Sequence, residues 1–159
     1  MQTINGKVCV VDGTPVDKVF SNGRQVYGRN LWAVSQSAFG YFSLSSYSLV
    51  TTESGNFNKY RKDMIATNGA KYISVRHIGD IPSNLTPYAV GRIIAFDKDQ
   101  KFISVILKPM ADADYFAVGE IPENTVYVLL HIVWGDSGET MIQFGSQETA
   151  WTPAPEDVM

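Results

Sequence analysis

Two histidines, a lone cysteine and one Gly135-Asp136-Ser137-Gly138 run are the features of this sequence that invite a search for covalent or metal chemistry. A serine nucleophile needs a histidine base and a carboxylate that orients it. Only His77 and His131 are available, and neither lies in a sequence context suited to that task. Gly, Asp and Ser are turn formers, so the run reads as a hairpin turn. Asp97-Lys98-Asp99 offers two carboxylates at a spacing seen in calcium loops, but the following Gly and distal Glu are missing. It too reads as a turn, with calcium left open. Neither histidine has an i, i+4 or cysteine partner, which disfavours zinc. Cys9 reads as a small apolar strand residue. The 16 Asp and Glu residues contain no pair that stands out as a glycosidase acid and nucleophile. The expectation is a non-enzyme without a cofactor.

The aromatic residues carry more information. They make up 12% of the chain, as eight Tyr, eight Phe and three Trp. Sugar rings pack their C–H faces on such side chains, while arginine, histidine and acidic groups bond the hydroxyls. The candidate ligand-binding set is Trp134, at a strand end beside the Gly135–Gly138 turn, with Tyr127, His131, Arg76 and Arg92 as polar partners. Arg76 and Arg92 interrupt apolar strands, where a charge must reach water, a carboxylate or a polar ligand; paired or snorkelling arginines are the alternative. A loop site near Arg76, Asp80 and Tyr88 is the second choice. Trp151, just before a proline-rich exit, is expected to be structural.

Charge narrows the partners. The net charge is −3 and no block of Lys and Arg occurs, which disfavours nucleic acid and anionic membranes. A neutral ligand fits better. No apolar run approaches the roughly 20 residues of a membrane span, and the polar start lacks the regions of an export signal.

These side chains must be positioned by strands. Asn5-Gly6, Asp12-Gly13 and Asn22-Gly23 suit tight hairpins, so residues 1–27 read as a hairpin-rich connector. Beyond it, period-2 runs predict strands at 31–34, 41–50, 72–77, 90–97, 102–107, 115–118, 126–134 and 140–144. In the clearest of these, Val126, Val128, Leu130, Ile132 and Trp134 form the core face. Tyr127, Leu129, His131 and Val133 form an outer or concave face. The predicted class is all-β: a jelly-roll-like two-sheet antiparallel β-sandwich over residues 28–157.

Three stretches also resemble a known family. The entry from Ser21 to Leu31, the exit from Ile142 to Asp157, and Ile94–Ile103 followed by Ile121–Val128 are similar to segments of jelly-roll carbohydrate-binding modules. Those modules occur in tail and baseplate proteins of phages infecting lactic acid bacteria. One departure is Phe144-Gly145-Ser146-Gln147, where such modules carry a charged run. The resemblance implies a virion protein whose partners are host cell-wall or surface polysaccharide and other tail or baseplate proteins. A purely structural tail domain is the alternative. No ligand residue is carried over from the family.

Overall fold

The computed structural model describes residues 9–53, 57–83, 85, 90–134 and 137–158. Two small hairpins come first. They pair β1 (Val10–Val11) with β2 (Thr14–Pro15), and β3 (Lys18–Ser21) with β4 (Arg24–Gly28). Their turns use Asp12 at φ 49 and Gly13 at φ 77, then Asn22 at φ 51 and Gly23 at φ 77. Two successive positive φ values match the right-handed twist of the flanking strands, which is why these dipeptides were legible as hairpins. Asn5-Gly6 lies outside the described residues.

The remaining strands form an all-β antiparallel sandwich. The larger sheet contains β5 (Ser37–Ser43), β6 (Ser48–Thr51), β7 (Lys59–Arg61), β8 (Ile65–Ala66), β10 (Arg92–Phe96), β11 (Phe102–Leu107) and β13 (Tyr127–Ile132). Its order is β11-β10-β13-β7-β5-β6, with β8 also on β13. The smaller sheet is β12 (Asp114–Glu120), β9 (Tyr72–Ile78) and β14 (Glu139–Phe144), in that order. From β8 onward the chain changes sheet at nearly every step, and only β10 and β11 are joined as a local hairpin. This alternation gives the jelly-roll-like sandwich anticipated from strand spacing.

Alternation of side chains explains the core. Val128, Leu130 and Ile132 of β13 and Ile93 of β10 meet Ile73, Val75 and Ile142 of the smaller sheet, and Trp134 completes the cluster. The two sheets close on one side where β12 passes β11. A Cβ at Gly119 would fall 2.6 Å from Ile106 Cγ2, so only glycine permits this approach. The other face of the larger sheet buries a second cluster of Phe42, Tyr60, Ile94, Phe96 and Leu129. Phe42 on β5 stacks on Phe102 of β11 at 6.2 Å and meets Phe96 edge-on at 5.5 Å. Three strands separate β5 from β11, so the sheet must roll to bring these rings together.

Several expectations are corrected. Residues 31–34 form no strand; they are extended and end in a 3₁₀ turn, Val34–Gln36. The stretch 41–50 is two strands, because Ser43 and Ser45 hydroxyls bond at 2.9 Å and Tyr47 adopts φ 49. Serine hydroxyls here hold a turn in place of a ladder. Strands β7 and β8 were not anticipated, since Lys59-Tyr60-Arg61 looks solvated in sequence. Its charges are nevertheless buried: Lys59 lies over the Phe39 ring at 4.8 Å. The Arg61 guanidinium donates to both Asp63 oxygens, to Glu156 and to the Leu31 carbonyl.

Entry and exit segments are clamped by Asn30, which is 2% exposed. Its Nδ2 donates to the carbonyls of Thr140 at 2.8 Å and Thr152 at 2.9 Å. Its Oδ1 accepts from the amides of Trp32 at 3.0 Å and Ile142 at 3.1 Å. Around it, Arg29 pairs with Glu156 at 3.1 Å, and the Asp157 carboxylate accepts from the amides of Val34 and Ser35. Replacing Asn30 by Ala strands buried backbone groups, each costing about 1–3 kcal/mol. Asn30→Ala is therefore expected to lower stability by roughly 3–5 kcal/mol in urea unfolding. Asn30→Asp, which sets a carboxylate against two carbonyls, is expected to be no better.

Candidate functional site

The chain offers an open groove on the outer face of the smaller sheet. Strand β9 turns Tyr72, Ser74, Arg76 and Ile78 outward, and β12 sets Glu120, Val118, Phe116 and Asp114 opposite them in register. One side of this face is covered by the β3–β4 hairpin and by residues 146–151. Gln25 and Tyr27 are buried there, and Gln25 Nε2 lies 3.4 Å from Gln143 Oε1. The uncovered remainder is a groove of about 540 Å³ lined by Arg24, Val26, Arg76, Glu139, Glu148 and Trp151, among others.

Its polar groups are held in place. Arg76 Nη1 is 3.0 Å from Asp114 Oδ1, and Arg76 Nε is 3.3 Å from Glu148 Oε1, the latter without hydrogen-bond geometry. Trp151 is half-buried, and its indole N–H donates to the Thr140 carbonyl at 3.2 Å. A fixed aromatic wall beside a guanidinium and carboxylates offers an apolar ring face, donors and acceptors together, which is what a polyhydroxylated ring requires. Trp151, expected to be structural from its place before the proline-rich exit, is tied to β14 by the Thr140 bond and lines the groove. The β3–β4 hairpin, which falls in the stretch expected as a connector, forms one wall of this groove.

A cleft of about 670 Å³ lies elsewhere, between the entry segment and β7–β8. Its charges, Asp17, Lys18, Arg29, Arg61, Asp63 and Glu156, largely satisfy one another. Burial works to raise the Asp63 carboxyl, but the Arg61 guanidinium outweighs it and holds that group below its ordinary range. This cleft reads as part of the clamp.

The anticipated site residues are dispersed. Trp134 is wholly buried: its N–H donates to Thr140 Oγ1 at 2.7 Å, and its ring lies 4.4 Å from His77. It cannot stack on a ligand, because past the end of β13 both Val133, expected on the other face, and Trp134 pack into the core between the sheets. Arg76 faces the groove just described. Arg92, His131 and Tyr127 share the concave face of the larger sheet, with Arg92 directly opposite His131 and Leu129 separating His131 from Tyr127. His131 is 1% exposed, so the face expected to be open is sealed there by the roll of the sheet. Tyr88 lies outside the described residues. Asp97 Oδ1 is occupied by the amides of Asp99 and Lys101. His77 Nδ1 is 3.3 Å from Thr140 Oγ1, and among the described residues no hydrogen bond joins His77 to Ser137. No group of three or more metal-ligating side chains occurs among the described residues. No protein-family model matches this chain, and neither the curated proteins nor the solved structures yield a match.

His131 makes stability depend on pH. Burial, and secondarily the Arg92 charge, push its pKa down to about 3 from an ordinary 6.5. The unfolded chain therefore takes up a proton near pH 6.5 that the folded chain refuses until about pH 3. Acidification through that window favours unfolding, by up to about 1.4 kcal/mol per pH unit. His131→Gln, which can still bond Asn58, is expected to flatten urea midpoints measured between pH 6.5 and 4.

Proposed function

We propose that this chain is a non-catalytic carbohydrate-binding module of a phage tail or baseplate protein, which holds the virion on host surface polysaccharide. The observation that carries the reading is the open groove beside the β3–β4 hairpin, where Trp151, Arg76 and Glu148 present an aromatic wall and matched polar groups. The resemblance of the entry, exit and middle segments to phage modules supports it, as does the two-sheet all-β fold. Single-site affinity can be weak, because many copies on one particle raise the effective concentration at the cell wall.

One observation favours a protein-contact role as a second reading. Tyr72, Ile78, Phe116 and Val118 are all at least 37% exposed and lie on one face with β12 at its edge. Such a patch suits a neighbouring subunit as well as a sugar.

Fluorescently labelled protein mixed with host and non-host lactic acid bacteria separates the readings. Binding to host cells is expected, and Arg76→Met and Glu148→Gln are expected to weaken it about tenfold each with little change in melting temperature. Absence of cell staining by a folded protein that still binds virion proteins would transfer the assignment to the structural role. Release of polysaccharide fragments would make it an enzyme.

A further inference from the structure

Two walls of the groove stand without a ladder beneath them. Among the described residues, no backbone hydrogen bond joins the β3–β4 hairpin to β14, and residues 146–151 make none to any strand. Yet Arg24 and Val26 on the first wall and Glu148 and Trp151 on the second line one groove. Segments whose backbone groups find no strand keep a fixed place only where side chains hold them.

Both walls meet at Gln143 of β14, which is 2% exposed. Alternation turns it to the outer face, opposite Ser74 of β9. Its Oε1 accepts from Gln25 Nε2 at 3.4 Å, the hairpin's one hydrogen bond to β14 among the described residues. The same oxygen accepts from Thr149 Oγ1 at 3.3 Å. Its Nε2 donates to Thr149 Oγ1 at 3.1 Å and to the Gln147 carbonyl at 3.2 Å. The fit is close: a Cβ at Gly28 would land on Gln143 Oε1 and come within 3.0 Å of Gln25 Nε2. Gly28 has no positive φ, so what excludes a side chain there is this amide and not the backbone.

We propose that Gln143 is the positioning residue of the groove: one buried amide sets the spacing of the hairpin wall and the Trp151 wall, and through it a change in either wall reaches the other. Gln143 does not itself line the groove; it acts through the residues that do. A groove held in this way is shaped before a ligand arrives, which removes an ordering cost from binding. The effect on ligand affinity rests on the proposed function; the coupling of the two walls does not.

The test follows the Val26 methyls and the Trp151 indole N–H by NMR in the full chain, one reporter on each wall, beside binding of the labelled protein to host lactic acid bacteria. Gln143→Met keeps the side chain's length without its hydrogen bonds. It is expected to shift both reporters and to weaken cell binding about tenfold. Thr149→Val should act in the same direction by less, while Thr149→Ser, which keeps the hydroxyl, restores most of the wild-type behaviour. Gly28→Ala places a methyl against the amide and should shift the Trp151 reporter. In a Gln143→Ala background the same change should leave that reporter where the background has it, a dependence that general loosening of the fold does not produce. If Gln143→Met fails to fold, Thr149→Val against Thr149→Ser carries the comparison. Reporters that respond separately overturn the proposal, as does a Gly28→Ala shift at Trp151 that persists without the amide. Reporters that move together while cell binding stays unchanged overturn the role in binding. Coupled walls in a wild-type protein that stains no host cell would keep the coupling and remove only the carbohydrate reading.

Discussion

The four hydrogen bonds of the Asn30 side chain are the constraint around which the rest is arranged. A primary amide has two donors and an acceptor oxygen with two lone pairs, and here each is used by a different backbone group on three chain segments. Residues 31–34 and the exit near Thr152 have few ladder partners of their own. The amide serves them as a ladder would, and so satisfies backbone groups that no strand reaches. The same geometry places Thr140, whose carbonyl also receives the Trp151 indole and whose hydroxyl receives that of Trp134. Core and groove are thus built on one residue of β14.

The second constraint is the roll of the larger sheet. A flat sheet would leave Leu129, Ile94 and Phe96 exposed, and bringing Phe42 onto Phe102 covers them. That solution also seals His131 and draws Arg92 inward. Polar side chains on a face that becomes a core are costly unless something satisfies them, and this contrast distinguishes Arg92 from Arg61, whose donors are met.

The legible part of the sequence was whatever depends on local chemistry. Asn22-Gly23 and Asp12-Gly13 announced hairpins because positive φ at both positions has few other causes. Val128, Leu130 and Ile132 of β13 were legible as core because alternation is enforced by the backbone itself, whereas outside the strand the pattern fails: Val126 is exposed and Val133 is buried in the core. Lys59-Tyr60-Arg61 was opaque because its burial depends on Phe39, Asp63 and Glu156, which no local pattern connects to it. Trp134 carried two readings, a core residue by alternation and a rim residue because it stands beside a turn; it is the former, enclosed by His77 and Thr140. Trp151 reads as structural in the sequence, and its place on the groove arises only from the hairpin and the β9 surface being folded beside it.

The clamp also determines how the molecule carries force. Tension applied between the segment preceding Arg29 and the segment following Glu156 falls on the Arg29–Glu156 pair and the Asn30 bridge to Thr152, and is shared with β14 through the Asn30 bonds to Thr140 and Ile142. The two loaded segments are tied directly to each other, so the clamp works as a mechanical shunt. While it holds, β14 is the one strand of the sandwich tied to it through the Asn30 side chain.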